Sequence, residues 1–165
     1  MLYIFGGLPG TGKTTLARHI AHQRRAVYLR VDTIEQAIRE SVGRVSGPEG
    51  YVVAYRLAAE NLRLGLDVVA DSVNPLHLTR AAWRHVAEAV DVSFMEIEVI
   101  CSNETEHRMR VETRMTDITS LQLPTWQEVK SRVYEPWDGN HLVIDTAGQT
   151  IEQSIAMLQR HMPLR

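Results

Sequence analysis

The sequence is short of cysteine, of long apolar runs and of excess positive charge. Its only cysteine, Cys101, excludes an internal disulfide and a cysteine-based metal cluster. No apolar run approaches the ~18 residues that a membrane span needs, and no basic segment precedes the first apolar residues as in a signal peptide. We therefore expect a cytoplasmic protein without membrane contact. The formal net charge of −2 provides no global positive field for nucleic acid, although a local basic patch is compatible with it.

Short apolar runs alternate with segments of helical length along the whole chain. This alternation is typical of an α/β fold with a parallel sheet, and the length fits one domain covering residues 1–165. The central runs are apolar on consecutive residues, as expected for strands that helices cover on both faces. The predicted strands are Leu2–Phe5, Val27–Val31, Asp67–Ala70, Val92–Ile100 and His141–Ile144. The predicted helices are Lys13–Gln23, Thr33–Glu40, Pro48–Leu64, Pro75–Ala89, Glu104–Arg114, Thr125–Tyr134 and Gln149–His161.

The strongest motif lies between the first predicted strand and the first predicted helix, and it fits the phosphate-binding pattern G-x-x-x-x-G-K-S/T at every required position. Glycines there let the backbone turn tightly and point its N–H groups inward, and the helix adds the positive end of its dipole. The motif therefore predicts a nucleoside triphosphate site. A dinucleotide site is disfavoured, because Thr15 stands where the third glycine would lie. The motif is Gly7-Leu8-Pro9-Gly10-Thr11-Gly12-Lys13-Thr14.

Side chains of this motif carry distinct expected roles. Lys13 is expected to bridge the β- and γ-phosphates of ATP, and the Thr14 hydroxyl to ligate Mg²⁺. Thr15 is expected to help start the helix beside the phosphates. The histidines show no metal-binding spacing, so Mg²⁺ should arrive with the nucleotide.

Two aspartates end or follow predicted strands, and in an open parallel sheet ligands bind outside the carboxyl ends of the strands. Asp32 could accept the proton of an attacking hydroxyl there, or could simply cap the next helix. Asp71 is predicted to hold Mg²⁺ through water or to touch the acceptor, with a plain strand-end turn as the alternative. Asn74 is a further candidate for contact with the substrate.

The predicted helix Glu104–Arg114 carries basic residues on one face, because His107, Arg110 and Arg114 follow an i, i+3, i+7 spacing. Arginines over the triphosphate would neutralise the charge that develops during phosphoryl transfer, so we predict Arg110 and Arg114 as catalytic. Arg108 lies on another face and is predicted to stack on the adenine or to flank it. The alternative is a solvated helix face paired with neighbouring glutamates.

These motifs, with the run Val68–Asn74 included, resemble the P-loop kinases of the nucleoside-monophosphate-kinase-like group. The pattern is most similar to the branch that holds chloramphenicol phosphotransferase, zeta toxin and the polynucleotide 5′-kinase domain. The resemblance extends over nearly the whole chain. It implies a three-layer P-loop NTPase fold, with a five-stranded parallel sheet in the order 2-3-1-4-5 and helices on both faces.

The resemblance also implies roles for particular residues. Asp32 would be the general base, residues 115–124 would be a lid, and the loop Asp145–Gly148, including Ala147, would hold the adenine through backbone contacts. The shikimate-kinase pattern Asp-x-Asp is absent, since Ile34 stands at its third position, and this disfavours shikimate as the acceptor.

The segment Arg39–Leu64 lies where such kinases build their acceptor site. Tyr51 and Tyr55 are one helical turn apart and could form an aromatic wall, while Arg39 could bind an anionic acceptor. Helix packing of the two tyrosines and solvation of the arginine are the alternatives.

We therefore predict an ATP-dependent phosphotransferase that acts on an alcohol group of a small molecule. One alternative is a polynucleotide 5′-hydroxyl kinase, which the lack of a basic excess disfavours. The other is an ATP-binding regulatory switch, although Ser72, rather than a hydrolytic glutamate, follows Asp71 and argues against a motor-type ATPase. The acceptor, the choice between ATP and GTP, and the oligomeric state stay open.

Overall fold

A five-stranded parallel sheet forms the centre of the chain, of which the computed structural model describes residues 1–45 and 47–163. Its strand order is β2-β3-β1-β4-β5, and each neighbouring pair is parallel. The strand order implied by the resemblance is therefore confirmed. The strands are β1 Leu2–Gly6, β2 Val27–Arg30, β3 Val68–Asp71, β4 Phe94–Ile100 and β5 Leu142–Asp145.

Helices cover both faces of this sheet, which gives the three layers expected of the fold. The longest described helix has 15 residues, and none of the described helices is both long and apolar enough to cross a bilayer. The helices are α1 Lys13–Arg24, α2 Val31–Val42, α3 Glu49–Arg63, α4 His77–Glu88, α5 Glu104–Thr113, α6 Trp126–Ser131 and α7 Ile151–His161.

The central strand β1 shows why the predicted strands are apolar on consecutive residues. Leu2 and Ile4 pack into a core with Trp83 and residues of α3 and α4. Tyr3 and Phe5 point to the opposite face and pack with residues of α1 and α7. Because successive side chains of a strand alternate between faces, a strand buried on both sides needs apolar residues at every position.

Several boundaries at the edge of the sheet where ligands bind differ from the predicted ones, and two of them change the positions of acidic residues. Helix α2 begins at Val31, earlier than predicted, so Asp32 lies in its first turn. The residue at the N-cap is Arg30, which makes no side-chain cap hydrogen bond, so the interpretation of Asp32 as the helix cap is wrong. Strand β3 extends to Asp71, which places this carboxylate on the last residue of the strand.

Candidate active site

The phosphate-binding motif forms the loop between β1 and α1, as its sequence context predicts. Gly7 has a φ of 143° and Gly10 a φ of 89°, values that favour glycine. A Cβ at Gly7 would overlap the carbonyl oxygen of Val99, and one at Gly10 would lie 2.6 Å from the Val111 side chain. The loop therefore needs glycine both for its backbone angles and for its close packing against β4 and α5.

The side chain of Lys13 is buried and has no negatively charged partner within the described residues. Only 6% of its surface is exposed, yet no hydrogen bond or ion pair among residues 1–45 and 47–163 engages its ammonium group. A buried charge without a partner is unfavourable unless a ligand supplies one. No side chain caps α1, so the first N–H groups of this helix are also left for an anion.

A cavity of ≈ 250 Å³ lies on one side of the loop, between it and the start of α7. Arg110 and Thr146 stand at its wall, where the loop that follows β5 approaches Gly10 and Gly12. Its size and mixed apolar and polar lining suit a planar heterocycle. The complete lining is Gly10, Gly12, Thr15, Leu16, Arg110, Thr146, Gln149, Thr150, Ile151 and Ser154.

Thr146 joins three parts of this wall through one hydroxyl group. Its Oγ1 lies 2.8 Å from the Thr11 carbonyl and 3.0 Å from the Ile100 carbonyl, and it accepts a hydrogen bond of 2.7 Å from Arg110. Arg110 also donates to the Thr146 carbonyl and to Glu106, at 2.9 and 2.5 Å. The guanidinium of Arg110 is thus held in place before any ligand arrives.

His107 supports the phosphate-binding loop from the same helix. It is buried, and its Nε2 lies 2.8 Å from the carbonyl oxygen of Pro9, which requires the ring nitrogen to be the donor. The ring packs edge-on against Trp126, with centroids 5.2 Å apart. Helix α5 therefore positions the loop through His107 and reaches the cavity through Arg110.

A second cavity, of ≈ 290 Å³, lies on the other side of the loop and shares Gly10, Gly12, Thr15 and Arg110 with the first. It is lined by Lys13, whose expected partner is phosphate, and by Thr14, whose expected partner is Mg²⁺. Its positive charges outnumber its negative ones. The residues not shared with the first cavity are Lys13, Thr14, Arg18, Arg30, Arg114, Met115 and Asp117.

Asp32 lies near this second cavity, next to charges of both signs. Burial lowers the pKa of the Arg114 guanidinium, and the negative charge of Asp32 opposes that shift. Burial raises the pKa of Glu35, and Asp32 raises it further. No hydrogen bond within the described residues ends on the carboxylate of Asp32, so its oxygens are free to accept a proton.

Asp71 has a different environment from Asp32. It is 1% exposed and accepts a hydrogen bond of 2.6 Å from the hydroxyl of Tyr28, whose pKa rises with burial and the nearby Asp71 charge. Asn74 is fully buried, with a φ of 51° and no partner for its side-chain amide. Its backbone N–H donates to the Tyr51 hydroxyl at 3.0 Å, so Tyr51 helps fix the turn that follows β3.

Two of the predicted adenine contacts are not brought to the first cavity. Arg108 is 59% exposed and pairs with Glu112 at 2.8 Å, on the outer face of α5. The helix face turns Arg110 toward the cavity instead. Ala147 uses its N–H to bond Asp145 at 3.0 Å, and the residue of this loop that lines the cavity is Thr146.

Two of the predicted acceptor contacts also lie elsewhere. Tyr55 packs edge-on against Trp83, with centroids 4.6 Å apart, and donates to the Thr79 carbonyl, so it belongs to the core. Arg39 bonds Gln36 and lines a separate cavity between α2 and residues 120–122. Lys13, Thr14, Arg110 and Arg114, by contrast, are brought together around the second cavity.

Sequence reasoning missed several residues of the two cavities. Arg30 ends β2 two positions before Asp32, and its place at the carboxyl edge of the sheet could have signalled it. Arg18 lies four positions after Thr14 on the helix, which places it one turn along the same face. Nothing in the local sequence of residues 115–124 distinguishes Asp117.

A family model matches most of the chain. The model of the family described as "AAA domain" matches residues 2–136, which include the phosphate-binding loop, α5 and the segment that carries Asp117.

Individual proteins similar to this chain include several kinases. The chain is 28% identical over 162 residues to the "Probable adenylyl-sulfate kinase" of Aeropyrum pernix, covering 92% of this chain and 86% of that protein. A provisionally assigned kinase of Chloroflexus aurantiacus superposes with a TM-score of 0.72 and 20% identity, covering 98% of both chains. Kti12 of Chaetomium thermophilum, in complex with ADP-AlF3, has a TM-score of 0.69 and 19% identity, covering 99% of this chain and 100% of that one. At these identities the two structures share the fold.

Proposed function

Because this chain belongs to the AAA domain family, a family of P-loop proteins, we propose that it is an ATP-dependent kinase that transfers the γ-phosphate to a hydroxyl of a small molecule. The observation that carries the proposal is the buried ammonium of Lys13, without a protein partner beside the uncapped start of α1. The relative from Aeropyrum pernix, named as an adenylyl-sulfate kinase, supports a kinase over a switch. The cytoplasmic location and the single domain over residues 1–165 stay predictions.

The two cavities divide the binding of ATP between them. The base would occupy the ≈ 250 Å³ cavity beside Arg110 and Thr146, whereas Arg108 is not among the residues that line it. The triphosphate would lie along the loop, with Lys13 at the β- and γ-phosphates and Arg114 beside them. Arg110 lines both cavities and is therefore able to contact either part of the nucleotide.

Mg²⁺ fits the same site only together with the nucleotide. Among the described residues, no three histidine, cysteine, aspartate or glutamate side chains are grouped so as to hold a metal ion. The Thr14 hydroxyl would ligate the ion directly, and Asp71 would hold its water shell from the end of β3. When bound, Mg²⁺ neutralises phosphate charge.

The acceptor side is assigned to Asp32. Its carboxylate accepts no hydrogen bond from the described residues, so it is free to take the proton of the acceptor hydroxyl as the oxygen attacks phosphorus. Arg114 lies near enough to Asp32 for their charges to interact, and its guanidinium would offset the negative charge on the transferred group. The general base and a charge-stabilising arginine thus stand on the same side of the loop.

The proposal is tested by incubating the protein with γ-labelled ATP, Mg²⁺ and fractionated hydroxylated metabolites, followed by mass spectrometry of labelled products. We expect label in one fraction, and chelation of Mg²⁺ should abolish that transfer because the phosphate charge is then no longer offset. Short oligonucleotides with a free 5′-hydroxyl are included, since their labelling would favour the polynucleotide kinase alternative. Bound ATP that is hydrolysed slowly with no labelled product would instead favour a regulatory switch.

Thr146→Val is expected to weaken ATP binding about fivefold, the effect of losing one hydrogen bond of about 1 kcal/mol. Valine keeps the shape of threonine but breaks the hydroxyl link between the phosphate-binding loop and Arg110. Isothermal titration with ATP measures the effect. Thr113→Val is the matched control, because Thr113 is exposed and its hydroxyl bonds only within α5. Equal affinities of the two variants would contradict the role of Thr146.

A further inference from the structure

One carboxylate in the second cavity holds two arginines from different elements. Asp117 accepts a hydrogen bond of 2.8 Å from Arg30 at the end of β2, and its other oxygen accepts one from Arg18 on α1. These hydrogen bonds hold the pKa of Asp117 well below its usual range. The three residues line the same cavity as Lys13 and Arg114. Asp117 therefore joins residues 115–124 to the centre of the proposed active site.

The charges of this cavity exceed what the nucleotide needs. Lys13, Arg110 and Arg114, with Mg²⁺, already supply the positive charge expected around a triphosphate. Arg18 and Arg30 are additional, and within the described lining Asp117 is the only carboxylate that faces them. Two guanidinium groups side by side repel each other, so they favour an anion between them.

The exposure of the three side chains indicates which of them is replaceable. The side chain of Arg30 is 11% exposed, and its Nε is buried without a hydrogen-bond partner. The side chain of Asp117 is 53% exposed and lies on a segment without helix or strand. A mostly exposed carboxylate is released to water at little cost, whereas the nearly buried arginine needs an anion in every state. An incoming anion is therefore able to take the place of Asp117.

On the basis of the proposed function, we propose that Arg18 and Arg30 form an anion subsite for the acceptor, which Asp117 fills until the acceptor binds. The acceptor is then a hydroxyl compound that also carries a phosphate, sulfate or carboxylate group. Planar guanidinium groups bind each of these anions through paired N–H donors. Release of Asp117 on acceptor binding would also free residues 115–124 to move. A neutral sugar or nucleoside would not displace Asp117, so Arg18 and Arg30 would stay bonded to Asp117 and would add nothing to the affinity for such an acceptor.

The test uses inorganic sulfate as the probe, titrated calorimetrically into protein saturated with Mg²⁺ and the non-hydrolysable analogue AMPPNP. The analogue fills the phosphate-binding loop, so sulfate reports on the remaining anion site. We expect Asp117→Asn to raise the affinity for sulfate about tenfold, because a charged competitor is removed, and Arg30→Gln to lower it about tenfold. Asp138→Asn is the matched control, since this exposed carboxylate also pairs with an arginine, Arg84, but outside the cavity.

Each outcome decides a separate point. Equal or weaker sulfate binding by Asp117→Asn overturns the subsite, provided that the melting temperature of this variant matches wild type. Sulfate that binds to protein saturated with ADP but not to protein saturated with AMPPNP overturns the acceptor assignment and gives the arginines to the γ-phosphate. A protein that fails to bind AMPPNP overturns the proposed function, and the comparison of Asp117→Asn with wild type on nucleotide-free protein still tests the subsite. Finally, labelled products of the transfer assay that carry no anionic group overturn the proposed acceptor class.

Discussion

Asp32→Asn is expected to slow phosphoryl transfer to the acceptor by about 10²- to 10⁴-fold, the range over which a general base contributes. Asparagine keeps the size of the side chain and its position in the first turn of α2. Its amide cannot accept the proton of the attacking hydroxyl, so the rate of the chemical step falls. ATP should still bind, because Asp32 lines neither of the two cavities assigned to the nucleotide.

The choice of Asp32 over Asp71 as the base follows from their surroundings. Asp71 is 1% exposed and its carboxylate already accepts the Tyr28 hydroxyl, so an acceptor would have to displace an internal hydrogen bond. Asp32 is partly exposed and accepts no hydrogen bond within the described residues. A carboxylate that is accessible and unengaged is the better proton acceptor, whereas a buried and fixed one is suited to positioning the water shell of Mg²⁺.

The measurement compares single-turnover rates with the acceptor found by label transfer, together with the affinity for ATP. Asp91→Asn is the matched control, since Asp91 is exposed, lines neither of the two cavities, and has a φ of 52° that asparagine adopts readily. Unchanged turnover in Asp32→Asn would remove Asp32 from the mechanism and make Asp71 the next candidate. A parallel loss of ATP affinity would instead show that Asp32 acts on the nucleotide.

The elements of the fold were predictable because each has a local cause. Strand β1 is apolar on consecutive residues, and the glycine-rich motif that follows it has one dominant meaning before a helix. The order of the strands came from the resemblance, since no local pattern encodes it. The boundaries of α2 and β3 shifted by one or two residues, as element ends often do. Those shifts alone changed the interpretation of Asp32 from a cap to a residue of the first turn.

The composition of the site was less predictable, because its contacts join residues distant in sequence. Arg30 and Asp117 are separated by 87 positions, and Thr146 lies 135 positions from Thr11. Helical spacing placed Arg110 on the same face as His107, but it could not tell which arginine of α5 lines the first cavity. The outward position of Arg108 has the same origin, because its direction is decided by how α5 packs on the phosphate-binding loop.

Arg80 lies at a sequence spacing that predicts burial, but only the structure shows how a charged side chain is accommodated there. It lies on the buried stripe of α4 with Trp83, Val86 and Ala87, at a spacing typical of a helix face that enters the core. The residue is 0% exposed. A long cationic side chain is tolerated there because it bonds backbone carbonyls and stacks at 5.0 Å on the ring of Trp137.

Arg80→Met is expected to lower the free energy of unfolding by about 3–5 kcal/mol, as when one partner of a buried polar network is removed. Methionine fills a similar volume, but the carbonyls of Asn74, Glu135 and Pro136 lose donors at 3.2, 3.2 and 2.8 Å. For a chain of this size the melting temperature should fall by roughly 6–20 °C. Thermal and urea unfolding measure both quantities.

The control is Arg56→Met on α3, because Arg56 is exposed and its replacement should change stability by no more than about 0.5 kcal/mol. Equal stabilities of the two variants would contradict the structural role of Arg80. The effect of Arg80→Met should also reach the active site. Arg80 supports the ring of Trp137, and this ring packs so closely on Gly6 that a Cβ there would overlap it. Gly6 ends β1 directly before the phosphate-binding loop, so a looser Trp137 should weaken ATP binding even where the variant is folded. Arg80 thus links the stability of the core to the geometry of the loop.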